Sequence, residues 1–545
     1  MRERAGFLTL LIAAGGLLVT WSFVVPIFES PDEPHHWQYA RHLHDHHRLP
    51  LFTPSFAEGN SPPLYYAVIA PVATPSETPP HLILRDPLGQ LVIPYSPRFY
   101  HNAEGDFHRY WPLRKARLIT VLLSVVTVGC AYMTGRELTG RPSTGLLTGA
   151  LVAFLPQFTF RGATISNDAL VTTLSALTTY FMVRLLRRGF TWRDGVLASV
   201  ALAGAYLSKI NAVCLVPCLG LTLLMGPGPW MARVRRLSVM GVALAIVAPW
   251  SVRNVALYGD PFAAQAMLTA VADLVEPKSL ASPYFWTVFP AWLSASFIGV
   301  FGWFNLWLPP WAYVGYSLLW LGGLAGAGLV WIQREVDRRI ILVLALTVVL
   351  ALAVVVHINR TFDQPQGRYL FPGLPAFAAL MAVGLEGLPD CKRWRGATAL
   401  GMAVGLALAN GVILIRTVMP AYYPPVTAGL STRLVELKGD EPLRFTANLP
   451  VRDFGFLQFE LSGHAPLAIA EGSVYITQEG HGRDGAERIP FRWRPDGVPR
   501  QVTIPLPRQR AWQGHIGVIR IDPFDGRLEA PVRLDRVRLR GSLDR

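Results

Sequence analysis

The stretch IILVLALTVVLALAVVV, residues 340–356, decides the class of fold. It contains no charged residue and follows directly on Arg338 and Arg339. A helix that crosses a membrane needs about 20 mostly apolar residues, and the run from 338 to 357 meets that length. A segment of this kind is typical of a membrane-spanning helix rather than of a soluble core.

Further apolar runs of similar length occur along the chain before residue 420. They lie near 6–26, 115–135, 143–160, 167–186, 194–209, 210–226, 236–252, 311–332, 369–388 and 395–417. Charged residues make up 16% of the 545 residues, below the ~25% of ordinary globular proteins. The sequence therefore predicts a polytopic α-helical membrane protein with about 11 transmembrane helices. The apolar, Trp-rich segment 285–306 is predicted to lie re-entrant or flat on the outer interface.

Lys and Arg residues cluster in every second connection between these runs. The basic connections are 136–142, 187–193, 230–236, 333–339 and 390–395. Cytoplasmic loops carry such an excess, so the pattern places the N-terminus in the cytoplasm and the C-terminus outside. This topology accounts for the net charge of +14 without nucleic acid as a partner. The predicted location is the cytoplasmic (inner) membrane, as a multi-pass protein in the lipid bilayer.

The tail changes character after about residue 430. Short alternating stretches separated by turn residues replace the long apolar runs, and this spacing is typical of a β-sandwich. We therefore expect two domains: a transmembrane domain at 1–430, with a long external loop at 27–112, and an extracytoplasmic β-sandwich at 431–545.

An acidic motif opens the first external loop. Its residues run Ser-Pro-Asp-Glu-Pro-His-His-Trp from position 30 to 37. Pro34 suits the first turn of a helix, so a helix from about 34 to 47 is predicted. The adjacent acids Asp32 and Glu33 could do acid–base work, hold a cation, or cap this helix. The histidines that follow are interpreted as a solvated interfacial face rather than a metal site.

Other polar side chains fall at the predicted outer ends of spans. They are Arg117, Asn167, Asp168, Lys209, Arg253, Asn254, Gln366, Arg368 and Tyr369. Each alone could be a snorkelling anchor at the membrane interface. Together they put acids, Arg and Lys on one face, which would suit a phosphate-bearing substrate and a general base.

These motifs, in this order, resemble the GT-C membrane glycosyltransferases. The matching stretches are Asp32-Glu33, Pro-Pro-Leu-Tyr-Tyr at 62–66, Leu-Ser-Lys at 207–209, the stretch 253–261 and Gln-Gly-Arg-Tyr-Leu-Phe-Pro at 366–372. A bacterial branch marked by Pro-Asp-Glu-Pro-x-His and Ser-Asn-Asp-Ala is nearest, matched at 31–36 and 166–169. Protein O-mannosyltransferases and the lipid A aminoarabinose transferase are more distant. The resemblance covers about 1–420.

The resemblance implies roles for individual residues. Asp32 or its neighbour Glu33 would be the catalytic base. Lys209 and Arg368 would bind the donor phosphate, and Arg117 and Arg253 are further candidates for that role. The substrate pocket is expected to include His35, His36, Asn167 and Tyr369. Asp168, with Glu33, is a possible site for a divalent metal such as Mg²⁺, Mn²⁺ or Ca²⁺.

The expected function is transfer of a sugar from a polyprenyl-phosphate donor to an acceptor hydroxyl on the outer face of the cytoplasmic membrane. A single carboxylate base would give inversion at the anomeric carbon. The acceptor would be a glycan, a lipid or a protein, and the insertion 75–110 leaves its identity open. Three alternatives stand beside this hypothesis. They are a transporter or flippase of a lipid-linked sugar, a surface polysaccharide polymerase or ligase, and a non-catalytic scaffold that presents the β domain.

Overall fold

The computed structural model describes most of the chain. The described residues are 2–53, 56, 58–75, 111–270, 275–304, 306–422, 427–431, 435–437, 442–450, 454–464, 470–478, 487–493, 495–505, 515–524 and 531–541. Residues 76–110, which contain most of the predicted insertion, lie outside these ranges.

Helices account for nearly all of the described chain up to residue 422. In chain order they are α1 Arg2–Val24, α2 Glu33–His46, α3 Leu64–Ile69, α4 Trp111–Thr139, α5 Pro142–Ala153, α6 Pro156–Gly162, α7 Asn167–Arg188, α8 Trp192–Ser208, α9 Leu215–Met225, α10 Trp230–Arg236, α11 Met240–Tyr258, α12 Ala264–Ala270, α13 Pro283–Trp286, α14 Val288–Ile298, α15 Pro310–Gln333, α16 Arg338–Asn359, α17 Leu374–Gly387, α18 Pro389–Arg393, α19 Arg395–Ile413 and α20 Met419–Tyr422. Short 3₁₀ turns at Ile210–Cys214 and Gly367–Gly373 precede α9 and α17.

Eight helical segments of the described chain are long and apolar enough to cross a membrane. They are α1, α4, α7, α10 with α11, α15, α16, α17 with its 3₁₀ turn, and α19 with α20. Counting the bent pair of α5 and α6 as one span gives nine. The prediction of a multi-pass α-helical membrane protein is therefore confirmed, whereas the count of eleven is not reached.

The difference in count comes from two runs that form shorter helices. The run predicted at 194–209 forms α8, which has 17 residues, and the next run forms the apolar segment Ile210–Met225. A helix rises 1.5 Å per residue, so α8 is short for a hydrocarbon core of about 30 Å. The Trp-rich segment forms the 11-residue helix α14, followed by a hairpin of β1 Val300–Phe301 and β2 Leu306–Trp307.

The run predicted as one span at 143–160 is broken. Helices α5 and α6 meet at an angle of 66°, and Pro156 begins the second of them. Proline lacks an amide hydrogen and disfavours a helical conformation of the preceding residue, which accounts for the break. The carbonyl oxygen of Phe154 accepts hydrogen bonds at the bend from Tyr316 Oη at 2.7 Å and Asn410 Nδ2 at 3.2 Å.

The tail forms a β-sandwich, as the alternating pattern predicts. Its strands are β3 Thr427–Ser431, β4 Val435–Leu437, β5 Leu443–Pro450, β6 Phe454–Gly463, β7 Ala470–Gln478, β8 Glu487–Trp493, β9 Arg500–Pro505, β10 His515–Asp522 and β11 Val532–Gly541. One antiparallel sheet has the order β5-β10-β7-β8, and the other β3-β11-β6-β9 with β4 beside β11. Side chains from both sheets share one core, in which the rings of Phe459 and Phe491 lie 5.4 Å apart.

Candidate active site

Five charged side chains from separate parts of the membrane domain converge next to the start of α2. We call them the charged cluster, and they are Asp32, Arg161, Asp168, Lys209 and Arg368. The sequence places four of them at outer ends of spans or in the first loop. The structure joins these four through direct ion pairs and adds Arg161, which the sequence analysis missed.

Asp32 is the most exposed carboxylate of the charged cluster. It immediately precedes α2 in a left-handed backbone conformation, with φ 65° and ψ −6°, and its side chain makes no capping hydrogen bond. The carboxylate instead accepts a hydrogen bond from Arg368 Nη2 at 2.5 Å, and 34% of the side chain is exposed. Helix capping, one of the sequence-based alternatives, is therefore not its role.

Neighbouring positive charge decides the ionisation of Asp32. Burial by itself would raise the pKa of the carboxyl, but the charges of Arg368 and Arg161 act in the opposite direction. The net result is a pKa well below the usual range for Asp. Asp32 is therefore a carboxylate at neutral pH.

Asp168 occupies the first turn of α7 and is fully surrounded by donors. Its Oδ1 accepts from Lys209 Nζ at 2.5 Å, and its Oδ2 accepts from Arg161 Nε at 3.1 Å. The hydroxyl of Ser166, the residue that caps α7, lies 3.1 Å from the same Oδ2. With 1% of its side chain exposed, Asp168 holds cations in place and is not open to a substrate.

Arg161 joins the first loop to the start of α7. Its guanidinium donates to Ser30 Oγ at 2.6 Å, to the Pro31 carbonyl at 2.9 Å and to Ser166 Oγ at 2.6 Å. The span predicted at 143–160 ends one residue before Arg161. The proline at 156 was the available signal, because the bend after α5 turns the end of α6 into the cluster.

Arg368 is buried and yet incompletely paired. Its Nε donates to Gln366 Oε1 at 2.6 Å and its Nη2 to Asp32. Its Nη1 lies 3.8 Å from Asp168 Oδ2 and has no hydrogen-bond partner among the described residues. A buried donor without a partner costs about 1–3 kcal/mol, so this atom is available to an incoming acceptor.

Gly367 allows the backbone before Arg368 to approach α14. A Cβ at this position would lie 2.2 Å from the backbone nitrogen of Phe297. This distance is too short for any residue with a side chain. The Gly367 amide also donates to Ser296 Oγ at 2.9 Å. The glycine of the Gln-Gly-Arg-Tyr motif therefore fixes where Arg368 stands.

The aromatic ring of Tyr369 lies beside two cations of the cluster, Lys209 and Arg368. Lys209 Nζ is 5.0 Å and Arg368 Cζ is 5.3 Å from the ring centroid. The Tyr369 hydroxyl donates to Gln364 Oε1 at 2.8 Å, which holds the ring in place. Three cations and two carboxylates leave the charged cluster with one excess positive charge, and an anion would balance it.

Glu33 and Arg117, which the sequence predicts as a base and a phosphate ligand, lie outside the charged cluster and pair with each other. Both side chains are completely buried, and Glu33 Oε1 accepts from Arg117 Nε at 2.7 Å. Glu33 also accepts from Arg117 Nη2 and from the backbone amides of Phe28 and Ile165. Each carboxylate oxygen of Glu33 accepts two hydrogen bonds, so Glu33 has no position left for a substrate proton or a metal.

The remaining donors of Arg117 are also used. They bind the carbonyl oxygens of Ser22, Val25 and Pro26 at 2.9, 2.5 and 2.8 Å. Arg117 thus ties the end of α1 to the start of α2, and it presents no free N–H group to a phosphate.

Arg253 is also outside the charged cluster. Its Nη2 donates to the carbonyl of Pro50 at 2.7 Å, and its Cζ lies 5.0 Å from the ring centroid of Trp250. It forms no ion pair with any described residue of the cluster. The prediction that it binds phosphate therefore lacks the geometry seen at Arg368.

Two of the predicted pocket residues form a network around Tyr66 of α3. His36 Nδ1 lies 3.0 Å from Tyr66 Oη, and Asn167 Nδ2 lies 3.4 Å from the same atom. Burial lowers the pKa of His36 to about 4, so the imidazole is neutral at pH 7. His35, half-buried on α2, makes no hydrogen bond to the described members of this network.

The geometry does not fit a metal ion at Glu33 and Asp168. Their oxygens are occupied by N–H donors and cations, whereas a metal requires free carboxylate oxygens. Within the described ranges, no group of three or more His, Cys, Asp or Glu side chains is placed to hold a metal.

Residues 112–252 match the family model described as dolichyl-phosphate-mannose-protein mannosyltransferase. The resemblance to GT-C glycosyltransferases is confirmed. The matched segment, less than half of the chain, contains Arg161, Asp168 and Lys209, whereas Asp32 and Arg368 lie outside it.

Several solved structures overlap distantly with the chain. ArnT from Cupriavidus metallidurans bound to undecaprenyl phosphate is 17% identical, with 76% of this chain and 74% of that chain covered and a TM-score of 0.45. The oligosaccharyltransferase AglB from Archaeoglobus fulgidus, in complex with an inhibitory peptide and a dolichol-phosphate, is 11% identical, with coverages of 76% and 55% and a TM-score of 0.41. A structure of the Archaeoglobus fulgidus oligosaccharyltransferase with Zn and sulfate is 13% identical, with coverages of 76% and 53% and a TM-score of 0.41. No curated protein matches the sequence.

Proposed function

We propose that the protein transfers a sugar from a polyprenyl-phosphate donor to an acceptor hydroxyl on the outer face of the cytoplasmic membrane. The observation that carries this proposal is the unequal pairing within the charged cluster. A buried guanidinium with an unpartnered Nη1 stands beside an ionised, partly exposed carboxylate. A leaving phosphate needs the first group, and a hydroxyl nucleophile needs the second.

Arg368 and Lys209 bind the donor phosphate in this proposal. Arg368 offers Nη1, and Lys209, with 18% of its side chain exposed, has two further N–H donors beyond the one that contacts Asp168. Asp168 and Arg161 hold these two cations in position. In a site poor in water, fixed positive groups stabilise the charge that develops on the leaving phosphate.

Asp32 acts as the base. It accepts the proton of the acceptor hydroxyl while the hydroxyl oxygen forms a bond to the anomeric carbon. The bond between that carbon and the phosphate oxygen breaks, and its electron pair leaves with the lipid phosphate. Because Asp168 is enclosed by cations, one carboxylate is open to the substrate, which favours a single displacement and inversion.

The distribution of charge supports the proposed orientation. Basic residues of the predicted cytoplasmic connections pair with acids at the other end of the bundle from the charged cluster. These pairs are Arg136–Glu3, Arg188–Glu137, Arg141–Glu386 and Lys392–Glu335. We assign residues 1–430 to the transferase domain and 431–545 to an extracytoplasmic β-sandwich that binds glycan or shields the acceptor groove.

The test is reconstitution of the purified protein in liposomes with undecaprenyl phosphates that carry glucose, mannose, galactose or aminoarabinose. We expect the sugar of one of these donors to be transferred to membrane glycans or lipids. Mass spectrometry of the products detects the transfer. Mass spectrometry of surface glycans from a deletion strain identifies the missing sugar independently. A protein that moves the lipid-linked sugar across the bilayer without breaking its glycosidic bond would be a flippase, and the proposal would be wrong.

A further inference from the structure

Tyr66 is the centre of a hydrogen-bond network, and the donors and acceptors around it determine where each hydrogen lies. The network contains His36, Tyr66 and Asn167 with Glu58 at its outer end. The ring of Tyr39 stacks on that of Tyr66 with centroids 3.8 Å apart and planes 10° apart, which fixes the position of the Tyr66 hydroxyl.

The Tyr66 hydroxyl has one hydrogen, and it donates this hydrogen to Glu58 in a hydrogen bond. Tyr66 Oη donates to Glu58 Oε2 at 3.2 Å, and this bond uses its only hydrogen. The oxygen of Tyr66 therefore acts as the acceptor for its other two neighbours. This requires His36 to carry its hydrogen on Nδ1, and it requires Asn167 to present its NH₂ group to Tyr66.

The opposite ends of His36 and Asn167 are then both acceptors. His36 Nε2 has a lone pair, and Asn167 Oδ1 is the amide oxygen; we call these two atoms the acceptor pair. Neither atom has a hydrogen-bond partner within the described part of the chain. The two residues are 2% and 4% exposed, and most buried polar atoms have partners, so this pair needs an explanation.

The acceptor pair lies close to the charged cluster. Asn167 directly precedes Asp168 in α7, and His36 is one turn along α2 from Asp32. The imidazole of His36 lies in the electric field of Asp32, Arg161 and Lys209. A ligand group at the pair would therefore sit next to the proposed phosphate site, and that group must donate hydrogen bonds.

We propose that the acceptor pair is a subsite for hydroxyl groups of a sugar ring. This inference rests on the proposed function and specifies which part of the substrate the protein distinguishes. Sugar hydroxyls supply the O–H donors that these two unpartnered acceptors require. A site built to accept from a hydroxyl rejects an analogue that lacks it, because its own polar atoms are then left unpaired. His36 and Asn167 would thus determine specificity, and Tyr66 would position them.

The experiment compares two ligands in nanodiscs: bare undecaprenyl phosphate and the undecaprenyl-phosphate sugar that the wild-type protein uses. Asn167→Leu and His36→Phe each remove one acceptor. We expect each variant to bind the sugar-bearing lipid about tenfold more weakly while its affinity for bare undecaprenyl phosphate stays unchanged. The bare lipid thus also reports that the variant is folded.

The two possible sources of the hydroxyls give different results. If the donor sugar occupies the subsite, the Kd of the sugar-bearing lipid rises and its slow hydrolysis by water is impaired. If the acceptor glycan occupies it, the donor Kd is unchanged and the KM for the acceptor rises. Tyr66→Phe removes the atom that orients both residues, and we expect a smaller loss of the same kind.

Ser175→Ala is the matched control. Ser175 lies two turns further along α7, and its buried Oγ also lacks a partner among the described residues, but it is remote from the charged cluster. We expect its Kd and KM values to equal those of the wild type. The subsite alone would be overturned if the wild-type protein is active and three variants keep its donor Kd and acceptor KM. These variants are Asn167→Leu, His36→Phe and Tyr66→Phe. A wild-type protein that neither binds the lipid phosphate nor transfers sugar would overturn the proposed function instead.

Discussion

Asp32 and Glu33 are neighbours in sequence and belong to two different ionic groups. Glu33 accepts four hydrogen bonds and is fully buried with Arg117. Asp32 accepts one charged hydrogen bond from Arg368 and remains one-third exposed. A pair with every donor and acceptor satisfied holds the chain together, whereas a pair with unused capacity can exchange partners with a substrate.

The two arginines show the same contrast. Arg117 uses all of its donors on Glu33 and on the carbonyl oxygens at the end of α1. Arg368 is almost equally buried but leaves Nη1 without a partner in the described ranges. Burial alone therefore does not separate structural from functional charge in this protein; the completeness of pairing does.

The largest expected effect is on catalysis at Asp32. Asp32→Asn keeps the size of the side chain but removes the proton acceptor, so we expect the transfer rate to fall 10²- to 10⁴-fold. The midpoint of thermal unfolding and the affinity for undecaprenyl phosphate should stay close to those of the wild type. Transfer of the lipid-linked sugar in liposomes measures the rate.

Asp45→Asn is the control for that measurement. Asp45 lies in the last turn of α2, is partly exposed and pairs with Arg41 at 2.8 Å. We expect normal transfer from this variant. A near-normal rate from Asp32→Asn would show that the base lies elsewhere.

The next largest effect is on stability at Glu33. Glu33→Gln leaves the charge of Arg117 buried without a counterion, and breaking such a pair costs about 3–5 kcal/mol. We expect a much lower midpoint of thermal unfolding in detergent and poor expression. Glu137→Gln is the matched comparison: its partner Arg188 is 56% exposed, so the loss should be about 1 kcal/mol or less. Equal stability of the two variants would remove the distinction between the two ionic groups.

A smaller effect is expected on donor binding at Arg368. Arg368→Lys keeps the positive charge but removes the planar guanidinium. The lysine ammonium cannot donate hydrogen bonds to Asp32 and to the phosphate at the same time in that geometry. We expect binding of undecaprenyl phosphate to weaken by about 1.5–3 kcal/mol, as measured by titration in nanodiscs. Arg253 forms no ion pair with the described residues of the cluster, so Arg253→Lys should change this affinity far less. A larger loss from Arg253→Lys than from Arg368→Lys would place Arg253 at the phosphate site.

The smallest effect is expected from removal of divalent metal. The oxygens of Glu33 and Asp168 are already held by N–H donors and cations, so neither residue has a free oxygen for a metal. Chelation with EDTA should therefore change the transfer rate less than about twofold. Activity measured with and without added Mg²⁺, Mn²⁺ or Ca²⁺ checks this. A rate that depends on one of these ions would mean that the cluster rearranges around a metal when substrate binds.

The sequence predicts the elements whose signal is local. Apolar runs predict the spans, alternation predicts the β-sandwich, and Pro34 predicts the helix that begins at Glu33. The motif residues Asp32, Asp168, Lys209 and Arg368 are predicted to meet, and they form direct ion pairs.

Other features depend on distant contacts and were not accessible in this way. Glu33 and Arg117 have the same motif signal as the cluster residues, and their role follows from carbonyl oxygens at the end of α1 that no spacing reveals. Arg161 was missed because a proline inside an apolar run can bend a span or leave it nearly straight. The side of α2 on which each acid points depends on the left-handed backbone at Asp32.

The bend between α5 and α6 has a consequence for how the protein is made. The Phe154 carbonyl at the bend is satisfied by Tyr316 and Asn410, which the ribosome synthesises long after α5. In hydrocarbon an unsatisfied carbonyl is costly, so the bend can reach its final form only when α15 and α19 have entered the membrane. Arg161 lies directly beyond it. We therefore expect the site to be completed late in biogenesis, and nascent chains that end before Asn410 to leave this region exposed to quality-control proteases.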